Sequence, residues 1–456
     1  MYFFCMKPNI LFLIIDSLRS DKFSQRAQLE DAAIHSFINN GIFFPETIAS
    51  ANGTILSWSS LFTSKFPFKT GIRSAKFNKL NDGIHTCFDV LENNGYAFYG
   101  YLPTLSETVG LFPKFKNQDC YYDFYLGITN GLGEKIISQI NSKLDYPWFM
   151  LVHTMDLHQP VQVSNQFDDE KYGKNYYERK ISEIDFWLKK VIDHVDLNTT
   201  IVIVTGDHGD YIKSIKTKNQ ELDFNPKQSS EVFKSKIANL TPEFLKPVKD
   251  KIFFLLENTN QAKKSEILQN LDLAPHEIRA LMSGKADKDH FLFDELIKVP
   301  FLILGNHLPK NNIIKQQIRT VDIFPTLFDF LGFSFKSEVD GISLKSVIFD
   351  KNPKELPAYI ESNPLVLKES NDVIGVRTSE FKYFRDKNNS EQRIHLFDLK
   401  NDPYEEKNIQ ETNQQKVKEM EQMLQELIKN TPHQFGQEND VESEEIAREL
   451  RKLGYL

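Results

Sequence analysis

Residues 200–210 read Thr-Ile-Val-Ile-Val-Thr-Gly-Asp-His-Gly-Asp, and this stretch decides the fold. Ile201 to Thr205 are all β-branched, which suits a pleated strand buried on both faces. The apolar run then stops at once in the polar loop Gly206-Asp207-His208-Gly209-Asp210. In open α/β sheets, ligands sit beyond the carboxyl ends of the strands, so Asp207 and His208 fall where a site belongs.

Working outward, four more runs read as strands. They are Asn9 to Ile15 (NILFLII, bounded by Pro8 and Asp16), Tyr96 to Tyr101, Trp148 to His153 (WFMLVH), and Phe301 to Leu304 after Pro300. Helical patterns lie between them. In Tyr176 to Val195, residues Ile181, Ile184, Leu188 and Ile192 recur three to four apart and share one face. Strands alternating with helices predict an α/β domain with a mostly parallel sheet flanked by helices. Residues 211–287 interrupt this pattern and read as a helical insertion, with runs at Thr241 to Leu256 and Lys264 to Leu281. Short strand-like runs within 373–399 predict a smaller C-terminal antiparallel sheet. Gln414 to Lys429 and Val441 to Leu453 read as charged amphipathic helix. The expected division is a catalytic domain over 7–350, a small-sheet subdomain over 351–410 and a helical tail over 411–456.

The chain has 456 residues, enough for a large α/β core plus a second smaller unit. Its 40% hydrophobic and 26% charged residues are ordinary for a globular protein, and the net charge of -8 comes with no basic stripe, which argues against nucleic-acid binding. Acidity is compatible with an anionic substrate where a bound metal sets the local field. Cys5, Cys87 and Cys120 lie far apart, form no CxxC pair, and read as buried or surface thiols. Met1 to Lys7 lacks a basic leader, and the apolar run Ile10 to Ile15 is too short to span a membrane. A cytoplasmic protein with no transmembrane segment is therefore expected.

Asp16, Asp156 and Asp207 each follow an apolar strand. Singly, a strand-end Asp is a turn or capping residue, and a His in a polar loop is simply solvated. Together, Asp16, Asp207 and His208 make a divalent-metal site. Thr54 precedes the helical run Ile55 to Thr63. It is a good N-cap. A helix N-terminus is also an anion site, and a hydroxyl there, bound to a metal, becomes a nucleophile.

In order along the chain, eight segments resemble the sulfatase family of the alkaline phosphatase superfamily. Pro8 to Ser17 resembles its opening strand and metal aspartate. Leu61 to Pro67 with Thr70-Gly71-Ile72 resembles LxTGxxPxxHG. Asp156-Leu-His158-Gln-Pro160 resembles DPHxP, and Thr205 to Asp210 resembles SDHGE. Phe293-Asp294-Glu295 to Phe301 resembles YDExxRVPL, and Val321 to Leu327 resembles VDIxPTL. Gly375 to Thr378 with Phe381 to Tyr383, and Leu396 to Glu405, resemble the C-terminal signature. The resemblance implies that Asp16, Asp207, His208 and the Thr54 oxygen hold the metal. It implies that Thr54 is the nucleophile and that His158 faces the leaving group or a nonbridging oxygen. Lys288 or His290 would neutralise substrate charge.

Three departures shape the expected chemistry. The family's nucleophile is a formylglycine made from Cys or Ser in C/S-x-P-S-R. Nine residues before Thr63, this chain carries Thr54-Ile55-Leu56-Ser57-Trp58. The methyl on a threonine Cβ blocks oxidation to that aldehyde, and Trp58 replaces the arginine. Threonine resembles instead the nucleophile of phosphodiesterase and phosphoglycerol- or phosphoethanolamine-transferase branches. Ser17 replaces a second aspartate, which together with His208 favours zinc or manganese, with calcium or magnesium as alternatives. Asp156 and His158 are the residues open to a second metal. The expected function is cleavage or transfer of a phosphoester (or a phosphonate or sulfate ester) through a covalent Thr54 intermediate. Small molecules and glycan- or lipid-linked anionic esters are the expected substrates. The alternatives are a sulfuric ester hydrolase with an unusual nucleophile and a noncatalytic binding relative.

Overall fold

The computed structural model describes residues 6–73, 79–123, 126–216, 221–224, 264–266, 268, 271–283, 290–349, 355–363 and 372–429. Its main sheet contains β1 (Asn9–Ile15), β2 (Gly41–Ile48), β3 (Ala97–Pro103), β4 (Tyr121–Tyr122), β5 (Trp148–Thr154) and β6 (Thr200–Gly206). After the hairpin of β7 (Ser214–Lys216) and β8 (Glu221–Asp223), the sheet is completed by β9 (Lys298–Leu304), β10 (Asn312–Ile313) and β11 (Ile318–Arg319). The order is β10-β2-β9-β6-β1-β5-β3-β4, with β11 also paired to β2. Every pairing is parallel except the two made by β9, which runs against β2 and β6.

The continuous apolar runs are explained by burial on both faces. In β1, Ile10, Phe12 and Ile14 enter one core with Phe149, Leu151, Ile201 and Ile203. Leu11, Leu13 and Ile15 enter the other with Met150, Val152, Val202 and Val204. Helix Thr54–Thr63 covers the first face through Ile55, Trp58, Leu61 and Phe62. Helix Tyr176–Ile192 covers the second through Tyr177, Ile181, Ile184 and Leu188. Phe12 stacks on Phe324 with ring centroids 5.2 Å apart. A fully buried Ile or Phe contributes about 1.5–3 kcal/mol relative to exposure, so these two layers dominate the stability of the sheet.

The smaller sheet is antiparallel, in the order β12 (Ala358–Glu361), β13 (Val373–Arg377), β14 (Phe381–Asp386), β15 (His395–Asp398). One face, with Ile360, Val373, Phe384 and Phe397, packs on Phe293 and Leu296 of the main domain. The other, with Tyr359, Val376, Tyr383 and Leu396, is covered by Val417, Met420 and Leu424 of helix Gln414–Ile428. The main sheet and this small one make the architecture α/β with a C-terminal antiparallel sheet, as the strand pattern implies.

Several sequence expectations change. The run at Phe301 is the antiparallel strand of the sheet. Strand β2 carries Pro45 inside it, which disguises it in the sequence; the register against β9 shifts between Phe44 and Thr47, where a residue without an N–H is tolerated. The segment after Asp210 opens with the β7–β8 hairpin instead of a helix. The expected helix Lys264 to Leu281 is broken before helix Pro275–Met282, whose first residue is a proline. Thr241 to Leu256 and Val441 to Leu453 lie outside the described residues. Among the described residues, no helix is long and apolar enough to cross a membrane.

Candidate active site

The three central strands β6, β1 and β5 lie side by side and parallel, so their carboxyl ends open on one edge. Asp207 follows β6 and Asp16 follows β1; both carboxylates are fully buried. Asp207 Oδ1 accepts from the backbone N–H groups of His208 at 2.8 Å and Ser17 at 3.2 Å. Asp16 Oδ1 accepts from the Ser17 hydroxyl at 2.6 Å. One oxygen of each carboxylate is thus held by the loops after β1 and β6, leaving both Oδ2 atoms for other partners. Ser17 adopts φ 61, a left-handed turn that brings its N–H under Asp207.

Thr54 does not cap its helix. The N-cap is Gly53, and Thr54 is the first helical residue. Its Oγ1 lies 3.1 Å from Asp16 Oδ2 and 3.2 Å from His208 Nε2. His208 Nδ1 is 2.7 Å from the carbonyl of Gly209. A carbonyl only accepts, so Nδ1 carries the ring proton and Nε2 turns a lone pair toward Thr54. The Thr54 hydroxyl has one proton for two acceptors. A cation among Asp16 Oδ2, Thr54 Oγ1, His208 Nε2 and Asp207 Oδ2 removes that conflict.

The donor set fits such an ion. His208 Nε2 lies 3.6 Å from Asp207 Oδ2, so successive donor atoms are separated by distances close to the ~3.3 Å edge of a four-ligand shell at about 2.05 Å. No Lys or Arg among the described residues forms an ion pair with Asp16 or Asp207; the groups beside Asp207 are His153 and His208. Burial by itself pushes the Asp207 carboxyl up, but His208 and then His153 beside it hold it well below the usual carboxylate range.

In the sequence, His153 only ends an apolar run. It is completely buried, and its Nε2 lies 3.4 Å from Asp207 Oδ2. Asp16, His153 and Asp207 each offer a ligand atom within 4.8 Å of one another. The sequence marks His153 merely as the polar residue that follows the apolar run Trp148 to Val152.

The remaining candidates divide. His158 sits half-buried in the turn after β5, where its N–H bonds to Met155 O. That loop is tied to the segment after β6 by Gln159 Nε2 donating to Tyr211 O at 2.5 Å. Asp156 is committed elsewhere. Its Oδ2 accepts from Ile128 N at 2.7 Å, and its Oδ1 accepts from Thr129 N at 3.2 Å and the Thr129 hydroxyl at 2.8 Å. It anchors the 127–132 turn, which removes it as a donor to a second metal. Lys288 lies outside the described residues. His290 accepts from Arg393 at Nδ1, 3.0 Å away, so its proton sits on Nε2. The next residue, Phe291, accepts from Asn52 Nδ2 at 3.2 Å through its carbonyl, two residues before Thr54. Asn52 Oδ1 in turn accepts from Asn363 N at 2.7 Å, so the end of β12 also closes on the Thr54 loop.

This sheet, carrying two strand-end aspartates, a histidine and a helix-terminal hydroxyl at one edge, makes an α/β fold with a candidate metal site. The chain belongs to the sulfatase family: its Sulfatase model matches residues 8–333, and the model for the C-terminal part of N-sulphoglucosamine sulphohydrolase matches 281–433. Arylsulfatase K of Gallus gallus is 21% identical over 287 residues, 61% of this chain and 52% of that protein. Arylsulfatase K of Mus musculus is 24% identical over 159 residues, 32% of this chain and 29% of that protein. The matches thus span between about a third and a half of these relatives' own lengths. The crystal structure of the phosphonate monoester hydrolase of Agrobacterium radiobacter superposes with a TM-score of 0.63 at 15% identity, covering 92% of this chain and 95% of that one, a likeness of fold.

Proposed function

We propose that this protein is a metal-dependent enzyme that cleaves or transfers an anionic phosphoester or phosphonate, with Thr54 as covalent nucleophile. The reading rests on one observation: the Thr54 hydroxyl has left the capping role and lies between Asp16 Oδ2 and His208 Nε2. Asp16, Asp207 and His208 are the residues that would hold a divalent ion, zinc or manganese by the two-carboxylate, imidazole-containing set. When bound, the ion supplies Lewis acidity that lowers the pKa of the Thr54 hydroxyl and offsets negative charge on the ester.

The chain's own groups then divide the work. Thr54 sits on the first turn of its helix, where unpaired backbone N–H groups favour an anion. Its proton would pass through Asp16 Oδ2, its hydrogen-bond partner, to solvent as that oxygen is taken up by the ion. Thr54 Oγ1 bonds to phosphorus as the bond to the leaving alkoxide breaks, and His158 is assigned to protonate that oxygen. Water or an acceptor alcohol, giving its proton to the now neutral His158, then attacks the phosphothreonine and releases the Thr54 oxygen. His290 and Lys288 are assigned to the charge of the substrate. A methyl-bearing Cβ cannot give formylglycine, which favours phosphorus over the family's sulfate chemistry.

A second reading, hydrolysis of a sulfuric ester by the same hydroxyl, is favoured by the arylsulfatase names of the relatives. Manganese- or zinc-loaded protein assayed on aryl phosphate mono- and diesters, phosphonates and sulfates separates the two. Turnover of phosphorus esters is expected; turnover of sulfates alone overturns the first reading in favour of the second.

A further inference from the structure

We infer that His153 is a positioning residue that fixes Asp207 for metal binding by donating Nε2–H to Asp207 Oδ2, and that it is not itself a ligand. The inference rests on the metal reading of Asp16, Asp207 and His208. Two histidines face Asp207, and their other ring nitrogens tell them apart. A metal-binding imidazole almost always donates its second N–H to an acceptor, which fixes the ring and raises its basicity. His208 meets that condition, with Nδ1 on the Gly209 carbonyl at 2.7 Å. His153 does not: among the described residues, its buried Nδ1 has no hydrogen-bond partner.

The missing partner also fixes the tautomer. If His153 bound a metal through Nε2, its proton would sit on Nδ1, an N–H buried with no acceptor. With the proton on Nε2, the charged Asp207 carboxylate receives it 3.4 Å away, and only a lone pair is left unpaired at Nδ1. A buried acceptor without a donor is the more tolerable of the two. The ring cannot swing to find another partner. Trp58 meets it edge-on, with centroids 4.9 Å apart and planes at 84°. Tyr122 OH donates to the His153 carbonyl and holds the backbone. Trp58 stands where the family motif has an arginine, so in this chain an apolar ring packs on the imidazole.

Asp207 Oδ1 is already taken by two backbone N–H groups. His153 therefore addresses the one oxygen left for the metal and sets its direction. Metal affinity of the full-length protein, measured by competition with a chromophoric chelator, tests this on His153→Leu and His153→Gln. The glutamine amide replaces the Nε2–H donor; leucine fills the space without one. His153→Leu is expected to bind zinc 10–100-fold more weakly, while His153→Gln keeps wild-type-like affinity. The cobalt-loaded His153→Gln protein is expected to keep the wild-type visible spectrum. Wild-type affinity in a folded His153→Leu, weakened binding in a folded His153→Gln, or a shifted cobalt spectrum each overturns the inference alone. A wild-type protein that takes up no metal overturns the metal reading beneath it as well.

Discussion

At the scale of single residues, Thr54 illustrates how position decides between two roles of one side chain. Threonine before a helix is a capping residue by default. Here the chain enters through an extended Gly53, with φ -156, so Thr54 falls one place later and its hydroxyl turns to Asp16 and His208. Thr54→Ala is expected to lose at least ~10³-fold of turnover on whichever ester the enzyme accepts, with Thr54→Ser retaining most of it. Steady-state kinetics on metal-loaded protein check this, and unchanged turnover in the alanine variant removes Thr54 as nucleophile. The site was partly legible before the fold was known. Asp16, Asp207 and His208 stand at strand ends, and alternation alone marks them. His153 was not legible, because an inward-facing strand residue shows its role only when the neighbouring strand is in register: Ile14 of β1 pairs with His153, two residues short of Asp16.

At the scale of elements, much of the family signature in the C-terminal half works as a clamp. Asp294 lies between Arg377 at 2.7 Å and Lys382 at 2.6 Å, and Lys382 also reaches Glu405 at 2.7 Å. Lys382 is completely buried. These contacts hold the small sheet against the entrance to β9. Removing one partner strands a buried charge, so Lys382→Met is expected to cost about 3–5 kcal/mol in denaturant unfolding. Burial raises the Asp294 carboxyl, but Arg377 and Lys382 overcome it and hold the group well below its usual value. A depressed carboxylate stabilises the folded state fully above its unfolded pKa, and that share is lost as pH falls toward the folded value. The stability gap between wild type and Asp294→Asn is therefore expected to be flat above about pH 5 and to shrink in more acidic buffer. A gap that widens on acidification contradicts the sign. The turn before Thr54 is equally constrained. A Cβ on Gly53 would lie 2.7 Å from Asn363 Cβ, so Gly53→Ala is expected to displace Asn363 or the first helical turn and to lower turnover while the fold survives. A crystal structure of that variant with its kinetics checks it.

At the scale of the whole molecule, the metal candidates come from residues as far apart as Asp16 and His208, joined only because β1 and β6 are neighbours in the sheet. An ion bound there would cross-link the core, so zinc or manganese is expected to raise the thermal midpoint in a concentration-dependent way, by about 2.7 kcal/mol of stability at 100 times the Kd. Chelation reverses the shift and Asp207→Ala abolishes it; a midpoint indifferent to metal in the wild type counts against the site. Local patterning was enough for the mostly parallel α/β class, the small antiparallel sheet and the strand-end acids, because each follows from periodicity along one segment. Placing Thr54 by its distance from Thr63 needed the family resemblance as well. The packed fold was needed to show that β9 runs antiparallel, that Asp156 serves the 127–132 turn, and that Thr54 faces Asp16 and His208. It also decided that His153 lies against Asp207 behind Trp58. Each of these depends on which segments become neighbours in the fold, from Asp156 and Ile128, 28 apart in the chain, to Thr54 and His208, 154 apart, and such contacts leave no periodic trace in the sequence.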